Sequence, residues 1–354
     1  MKLFILQTVI PDYRSKFFAE LKKQLCDEFG FACGDNYFEK SVRTDWSIKS
    51  IYRIRNHYFF NRKILFQSGM FRKAIAAKVL VLELNPRILT NWIILVIRKL
   101  VNKKTVLWGH AWPRDGENSR SDFVRGWMRK LGDIIVTYTE RQSEELKKKM
   151  PRQKIVFAPN SLYFKKEMNV SSKLDPLDVI YVGRLTKAKK PLILLKAFSM
   201  LTESLPEGAR LIIVGEGPEK ESLLSFIKKN NMRDRIQILG HISDFHVLEN
   251  LYSEALFSVS PGYVGLSITQ SLSFGVPVLI SKDENHSPEI EAVIEGENSL
   301  FFDTDNIDDF TNRIHDFYKK RNFWIQKRDG ISVYCRERYS IERMTQPFLD
   351  LVTK

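Results

Sequence analysis

Three short stretches of this chain hold residue types at spacings that suit a phosphorylated ligand. The first is Tyr181-Val182-Gly183-Arg184-Leu185-Thr186-Lys187-Ala188-Lys189-Lys190-Pro191, an apolar run followed by a glycine, two separated cations and a helix-opening proline. A strand that feeds a helix presents unsatisfied backbone N–H groups, and Arg184 and Lys189 add charge suited to a diphosphate. A solvated Lys-rich turn has the same composition. The second stretch, Ile213-Val214-Gly215-Glu216-Gly217-Pro218, is a strand ending in Gly-x-Gly-Pro, a pattern that any strand-to-helix turn can share. The third runs Ser260-Pro261-Gly262-Tyr263-Val264-Gly265-Leu266-Ser267-Ile268-Thr269-Gln270, with Gly275-Val276-Pro277-Val278 following. Glycines at a strand mouth let backbone approach a ligand, and a helix beginning near Leu266 would aim its positive end there.

The elements that must position these stretches are short apolar runs alternating with amphipathic ones. In the first half strands are expected at 3–9, 79–84, 105–108, 134–137 and 155–158, and helices at 15–28, 88–100 and 140–149. Residues 162–178 turn polar and read as an interdomain linker. Beyond them strands are expected at 179–182, 210–214, 236–239, 256–259 and 278–280. The helices among them are 192–201, 220–230, 247–254, 268–274 and 288–294, with a last amphipathic helix at 341–352. Strands interleaved with helices imply parallel sheets covered on both faces, whose ligands bind outside the carboxyl ends of the strands. The domain reading is 1–165, 166–335 and a C-terminal helix in 336–354 that could pack back on either domain, with the first as the expected one.

In order, these motifs resemble the nucleotide-binding domain of family-4 retaining glycosyltransferases, the "group 1" type. Residues 183–198 lie on that family's V-G-R-L-x-x-x-K-G element without a gap, and Leu239-Gly240, Tyr252, Gly265-Leu266 and Gly275-x-Pro277-Val278 follow at suitable spacing. The resemblance covers about 130 residues and is thin in the first half, where Trp108-Gly109-His110 falls at the family's active-site His and Asn160 at an Asn. It implies an α/β fold of GT-B architecture, two Rossmann-like doubly wound domains facing across a cleft. It also implies metal-independent transfer of a sugar from a UDP- or GDP-sugar, with retention, to a glycan or lipid-linked acceptor. Arg184 and Lys189 would stabilise the leaving diphosphate and His110 would bind a sugar hydroxyl. Gly183, Gly215, Gly217, Gly262, Tyr263, Val264, Gly265, Leu266, Gln270 and Glu289 would bind the donor.

The chain departs from the family at two carboxylates. Gly262 and Gln270 stand where the family has two Glu residues, one for the donor sugar and one for the ribose. Gln270 retains hydrogen-bonding capacity, but Gly262 cannot replace a carboxylate. The sugar would then be held by backbone of 262–265 or by Glu289 from the next loop. Ile10-Pro11-Asp12-Tyr13-Arg14 also replaces the family's glycine-rich first loop.

Charge is divided unevenly. Residues 1–165 hold 32 Lys/Arg against 15 Asp/Glu, a surplus of 17, whereas the remainder holds 24 against 27. Such a field attracts a polyanion. Without a helix-turn-helix, zinc-finger or RNP-type signature, nucleic acid is not the expected partner. Arg53, Arg55, Arg62, Lys63, Arg72, Lys73 and Lys78 are interleaved with Tyr58, Phe59, Phe60, Phe66 and Phe71, and Trp92 precedes Arg98, Lys99, Lys103 and Lys104. Basic residues mixed with aromatics suit an anionic membrane surface. A cytoplasmic enzyme of bacterial surface-polysaccharide assembly, peripheral at the inner face of the membrane, is the resulting expectation. Cys26, Cys33 and Cys335 form no metal-ligand pattern, Asp303-Thr304-Asp305 reads as a polar loop, and neither a metal nor a cofactor is expected. The competing readings are a catalytically degenerate glycan- or nucleotide-binding relative and a nucleotide-sugar epimerase.

Overall fold

The computed structural model describes residues 1–40, 42–113, 116–117, 119–170 and 175–353. The chain divides into two compact units, Met1–Leu162 together with Ile341–Lys354, and Tyr163–Ser340. The divisions thus fall at Leu162 and Ser340, against the expected 165 and 335.

In the first unit the strands are β1 (Leu3–Leu6), β2 (Phe29–Cys33), β3 (Tyr52–Arg53), β4 (Arg55–Phe59), β5 (Ile64–Ser68), β6 (Val79–Glu83), β7 (Thr105–Trp108), β8 (Ile134–Thr137) and β9 (Lys154–Phe157). Seven form one parallel sheet in the order β3-β2-β1-β6-β7-β8-β9, while β4 and β5 make a separate antiparallel hairpin. The helices are α1 (Ser15–Leu25), α2 (Phe71–Ala76), α3 (Leu89–Leu100), α4 (Arg120–Leu131) and α5 (Glu140–Lys149). Runs such as Val79-Leu80-Val81-Leu82 are apolar at every position because helices cover both faces of the sheet, and all four residues are buried.

The second unit holds β10 (Asp178–Val182), α6 (Pro191–Leu201), β11 (Leu211–Val214), α7 (Lys220–Lys229), β12 (Ile236–Gly240), α8 (Phe245–Glu254), β13 (Ala255–Ser260), α9 (Ser267–Ser273), β14 (Val278–Ser281), β15 (Ser299–Phe302), α10 (Ile307–Lys319) and α11 (Arg321–Arg338). Its six parallel strands run β12-β11-β10-β13-β14-β15. Strand order therefore reverses between β10 and β13, and two of the motifs follow those two strands. The third follows β11, the other neighbour of β10.

The last helix, α12 (Ile341–Thr353), belongs to the first unit. Its Phe348 ring lies 5.2 Å from Phe17 and 4.9 Å from Trp108, so the chain end closes the core of the first unit.

Several expectations are corrected. Residues 163–170 are not a linker: Tyr163 and Met168 are buried in the second unit, Tyr163 against Phe245 and Phe274. The helix expected at 288–294 is a short 3-10 turn, Pro288–Ala292, and the first strand ends at Leu6. Arg98 is no surface cation. It is fully buried, and its guanidinium donates to Thr105 Oγ1 (2.9 Å) and to the carbonyls of Ala74 (2.8 Å), Ile75 (3.0 Å) and Ala77 (2.9 Å). Those carbonyls are the unsatisfied acceptors at the end of α2, which Arg98 caps from the neighbouring helix. No helix among the described residues is long and apolar enough to cross a membrane.

Candidate functional site

In the second unit the three motifs converge on one segment, residues 183–189. Gly183 N–H donates to Val214 O (2.9 Å) and Leu185 N–H to Glu216 O (2.9 Å), so the loop after β10 continues the pairing of β10 with β11 beyond the strand ends. On its other side Tyr263 N–H donates to Ala188 O (2.9 Å). The glycines make this packing possible. A Cβ on Gly215 would collide with the Gly183 carbonyl oxygen, one on Gly217 with that of Leu185, and one on Gly262 with that of Ala188. These glycines admit backbone against backbone. They clamp the cation-bearing segment from both sides at the point where strand order reverses, the usual ligand crevice of an open α/β sheet.

Among the cations so placed, Lys190 is committed elsewhere. It pairs with Glu284 (2.6 Å) and Asp305 (2.6 Å), and these carboxylates hold its pKa above the ordinary lysine value. Asp305 of the Asp303-Thr304-Asp305 loop is thus part of this clamp, and Thr304 Oγ1 bonds Ser281 Oγ at 2.8 Å. Arg184 is exposed at the end of β10. Lys189 is half-buried with its amine 4.6 Å from the centre of the Tyr263 ring. Burial, and next the Arg184 charge, push its pKa down to about 8, while Glu289 opposes the shift. A cation kept poorly solvated beside a second cation is set to gain from a bound anion.

Glu289 is buried in the turn Pro288–Ala292, and a Cβ built on Gly265 would lie 3.9 Å from its Oε2. The structure therefore brings a carboxylate beside Gly265 and Lys189, although Gly262 offers none. Backbone groups of residues 262–265 are partly spoken for. Tyr263 N–H goes to Ala188 O, and Val264 N–H donates to His286 Nδ1 (3.2 Å), whose Nε2 faces Ser281 O (2.8 Å). The hydroxyls of Tyr263 and Ser287 also bond each other. Gln270 is engaged too: its Nε2 donates to Tyr163 Oη (3.0 Å) and its Oε1 accepts from Tyr252 Oη (3.5 Å). Leu266 immediately precedes the two-turn helix α9, accepting from Gln270 N–H at 2.9 Å.

The first unit builds a second polar cluster at the carboxyl ends of its own strands. His110, after β7, is exposed with its ring 4.8 Å from Tyr138. Arg14, in the segment that replaces a glycine-rich loop, lies 4.9 Å from the Trp108 ring centre and donates to Asn160 Oδ1 at 2.6 Å. Glu83 ends β6 and accepts from the backbone N–H and the hydroxyl of Thr8, the latter at 2.9 Å. Burial raises its pKa, and these two hydrogen bonds pull the other way. Sequence reasoning singled out the segment that holds Arg14 and missed Thr8, Glu83 and Tyr138. The available signal was a carboxylate closing an otherwise apolar strand next to the strand-order reversal between β1 and β6.

Some basic residues of 46–78 are stacked on aromatics of the same stretch. Arg53 lies over Trp46 (4.2 Å), Lys73 over Tyr52 (3.4 Å) and Arg62 over Tyr58 (3.7 Å). Arg62 also donates to Phe38 O (3.0 Å) and Asn36 Oδ1 (2.6 Å), anchoring the hairpin. Among the described residues no group of three or more His, Cys, Asp or Glu is placed to hold a metal ion.

Residues 164–338 match the family model described as Glycosyl transferases group 1. An uncharacterized glycosyltransferase of Methanocaldococcus jannaschii is 27% identical over 198 residues, covering 50% of this chain and 48% of the relative. The N-acetylgalactosamine-N,N'-diacetylbacillosaminyl-diphospho-undecaprenol 4-alpha-N-acetylgalactosaminyltransferase of Campylobacter jejuni is 28% identical over 132 residues, 35% of each chain. The chain thus spans about half the length of the first relative and about a third of the second. The crystal structure of HepE from Anabaena in complex with UDP superposes with a TM-score of 0.73 at 14% identity, covering 100% of both chains. The fold is the GT-B one of two Rossmann-like parallel-sheet domains.

Proposed function

We propose that this chain is a family-4 retaining glycosyltransferase that moves a sugar from a UDP- or GDP-sugar to a glycan or lipid-linked acceptor. The observation that carries the reading is the segment 183–189, clamped between Gly215, Gly217 and Gly262 so that Arg184 and Lys189 stand at the reversal of strand order with Glu289 beside them. The bond from the anomeric carbon to the donor phosphate breaks as the acceptor oxygen bonds that carbon from the same face. The acceptor's proton passes to the departing phosphate oxygen, so no protein nucleophile is consumed. Arg184 and Lys189 neutralise the developing diphosphate charge in place of a divalent metal, and their fixed positions mean that little reorganisation accompanies charge separation. Glu289 takes a hydroxyl of the donor sugar, the task left vacant by Gly262. His110 binds a sugar hydroxyl.

A lipid-linked acceptor is supported by the Campylobacter relative, whose name specifies an undecaprenyl diphosphate substrate. It fits the basic surplus of the first half, which draws the enzyme to the anionic inner face of a cytoplasmic membrane, and a place in bacterial surface-polysaccharide assembly. The test is nucleotide release from UDP-, GDP-, ADP- and TDP-sugars, with and without a lipid-linked glycan extract and with EDTA. Release from one donor, stimulated by the extract, insensitive to EDTA and lost in Arg184→Ala, is the expected result. The second reading, a degenerate nucleotide-binding relative, is favoured by Gly262 and by the two tyrosines on Gln270. Intact UDP binding without release from any donor selects it.

A further inference from the structure

The helix α3 buries polar residues beside Ile94 and Leu95 of the core and turns further apolar residues outward. Thr90, Asn91 and Arg98 point inward, where Thr90 Oγ1 donates to Gln67 O (3.0 Å), Asn91 Nδ2 to Glu83 O (3.0 Å) and Arg98 to the carbonyls closing α2. Leu89, Ile93, Val96 and Leu100 are exposed, Leu100 by 81%. At 100° per residue these four fall within about 60° of one another on the helix, one continuous apolar stripe turned to solvent. The neighbouring helix α4 repeats the pattern, with Phe123 71% and Trp127 57% exposed one turn apart and Val124 beside them. Both helices follow consecutive right-handed crossovers, β6 to β7 and β7 to β8, and so cover the same face of the sheet. Arg125 on α4 ties them to the same floor by donating to Leu84 O (2.8 Å) and His110 O (3.0 Å).

Charge identifies what covers this face. The exposed residues of α3 and α4 other than the apolar ones are Lys99, Arg120, Ser121 and Lys130, and none is acidic. The one carboxylate in α4, Asp122, is buried against Arg129 and Lys149. Lys130 holds its amine 5.4 Å from the Trp127 ring centre, a cation and an amphipathic aromatic at one level. Lys99 is paired with Asp133 at 3.1 Å, leaving Arg120 and Lys130 as the exposed cations of the two helices outside an ion pair among the described residues. A second copy of the chain docked here would bring these cations against their own counterparts. An anionic lipid surface accepts the apolar stripe in its acyl boundary and the cations at its headgroups.

We infer that the α3–α4 face of the first unit inserts into the surface of an anionic membrane, with Ile93, Leu100, Phe123 and Trp127 as its apolar anchors. This deepens the membrane part of the function proposed above and rests on it. It assigns the contact to α3 and α4 instead of the hairpin region 52–78, where Arg62 and Lys73 are stacked on Tyr58 and Tyr52.

The experiment is co-sedimentation of the full chain with vesicles of phosphatidylcholine alone or mixed with phosphatidylglycerol, at rising salt. The wild type binds the phosphatidylglycerol vesicles, less tightly as salt rises, and its tryptophan emission shifts to the blue, a shift absent in Trp127→Phe. Ile93→Gln/Trp127→Gln weakens partitioning about tenfold or more. Its melting temperature and UDP affinity stay at the wild-type value, since both side chains are already exposed. Unchanged binding of the double variant, or a loss that follows Phe60→Ser at the hairpin tip instead, overturns the assignment to α3–α4 and leaves membrane binding standing. No binding of the wild type to either vesicle overturns both, while nucleotide release in solution reports on sugar transfer separately. A wild-type dimer that the double variant dissociates, without vesicle binding, would show that a second copy covers this face.

Discussion

Lys189 gives the donor site a pH signature that can be worked out in advance. Burial first, and the Arg184 charge second, place the amine at about 8 in the unliganded protein. At pH 7 about nine-tenths of the molecules carry the proton and at pH 9 about one-tenth do. A diphosphate beside the amine favours the charged form, so the complex has the higher pKa and binding takes up a proton. Affinity is then fully present below the free-protein pKa and falls as pH rises through it, by about tenfold between pH 7 and 9. The assay is isothermal titration of UDP in buffers of different ionisation enthalpy. Near pH 8 about half a proton is taken up per UDP bound. Lys189→Met binds more weakly at pH 7 and records the ligand's own titration, which is subtracted. Glu289 raises the Lys189 pKa, so Glu289→Gln moves the break below 8. Parallel pH profiles for the wild type and Lys189→Met would refute the placement of this amine against the diphosphate.

Restoring the family carboxylate should fail. A Cβ at position 262 would lie 2.9 Å from the Lys189 carbonyl carbon besides colliding with the Ala188 oxygen, and both are backbone. Gly262→Glu therefore lowers stability by about 1–3 kcal/mol and displaces Lys189, and a gain in turnover with an unaltered melting temperature would contradict the clamp. Arg98→Met removes the guanidinium's bonds to five carbonyls and to Thr105 and should cost about 3 kcal/mol or more in urea unfolding of the first unit. Phe348→Ala removes a fully buried ring packed on Phe17 and Trp108. It should cost about 3–5 kcal/mol, and a cost below about 1 would show that α12 is not part of that core.

The elements that could be read from the sequence were those whose burial is two-sided and whose turns announce themselves. Ile134–Thr137 and Glu140–Lys149 have the bounds expected of them, because an uninterrupted apolar run ends at Thr137 and Thr139, two residues on, caps the helix by accepting from Gln142 N–H. The hairpin of β4 and β5 was not legible. Its turn places Phe60, Asn61 and Arg62 all at positive φ (51°, 50° and 64°) with no glycine, and what holds it there is the Arg62 guanidinium bonded to a distant segment. Both α4 and α11 escaped for a related reason. The exposed Phe123, Val124 and Trp127 blur the apolar stripe of α4, and α11 buries Arg328 while carrying Gly330 mid-helix. A polar solvent face makes helical periodicity easier to read.

At the site, residue types were legible and their partners were not. Arg184 and Lys189 could be picked from four cations by their places in the motif. What distinguishes Lys190 physically is a pair of carboxylates roughly 100 residues further along the chain, Glu284 and Asp305. The same holds for the glycines. Their spacing invites the reading that a ligand needs the room, whereas the room at 215, 217 and 262 is filled by the carbonyls of Gly183, Leu185 and Ala188. This changes what a loss of the family's first Glu means. Once the 261–266 loop closes on Ala188 there is no space for any side chain at 262, so the carboxylate must enter from elsewhere. Glu289 enters from the turn that Ser287 N–H fixes to Val264 O at 2.9 Å. On the role proposed for Glu289, substitution at 262 and its recruitment are one structural event, and their coupling is measurable. If Glu289 carries the sugar contact, Glu289→Gln loses turnover while UDP binding at pH 7 changes little, because its effect on Lys189 moves the break further from full protonation by only a fraction of the curve. Equal turnover in Glu289→Gln and wild type would leave Gly262 uncompensated and return the site to a nucleotide-binding role alone.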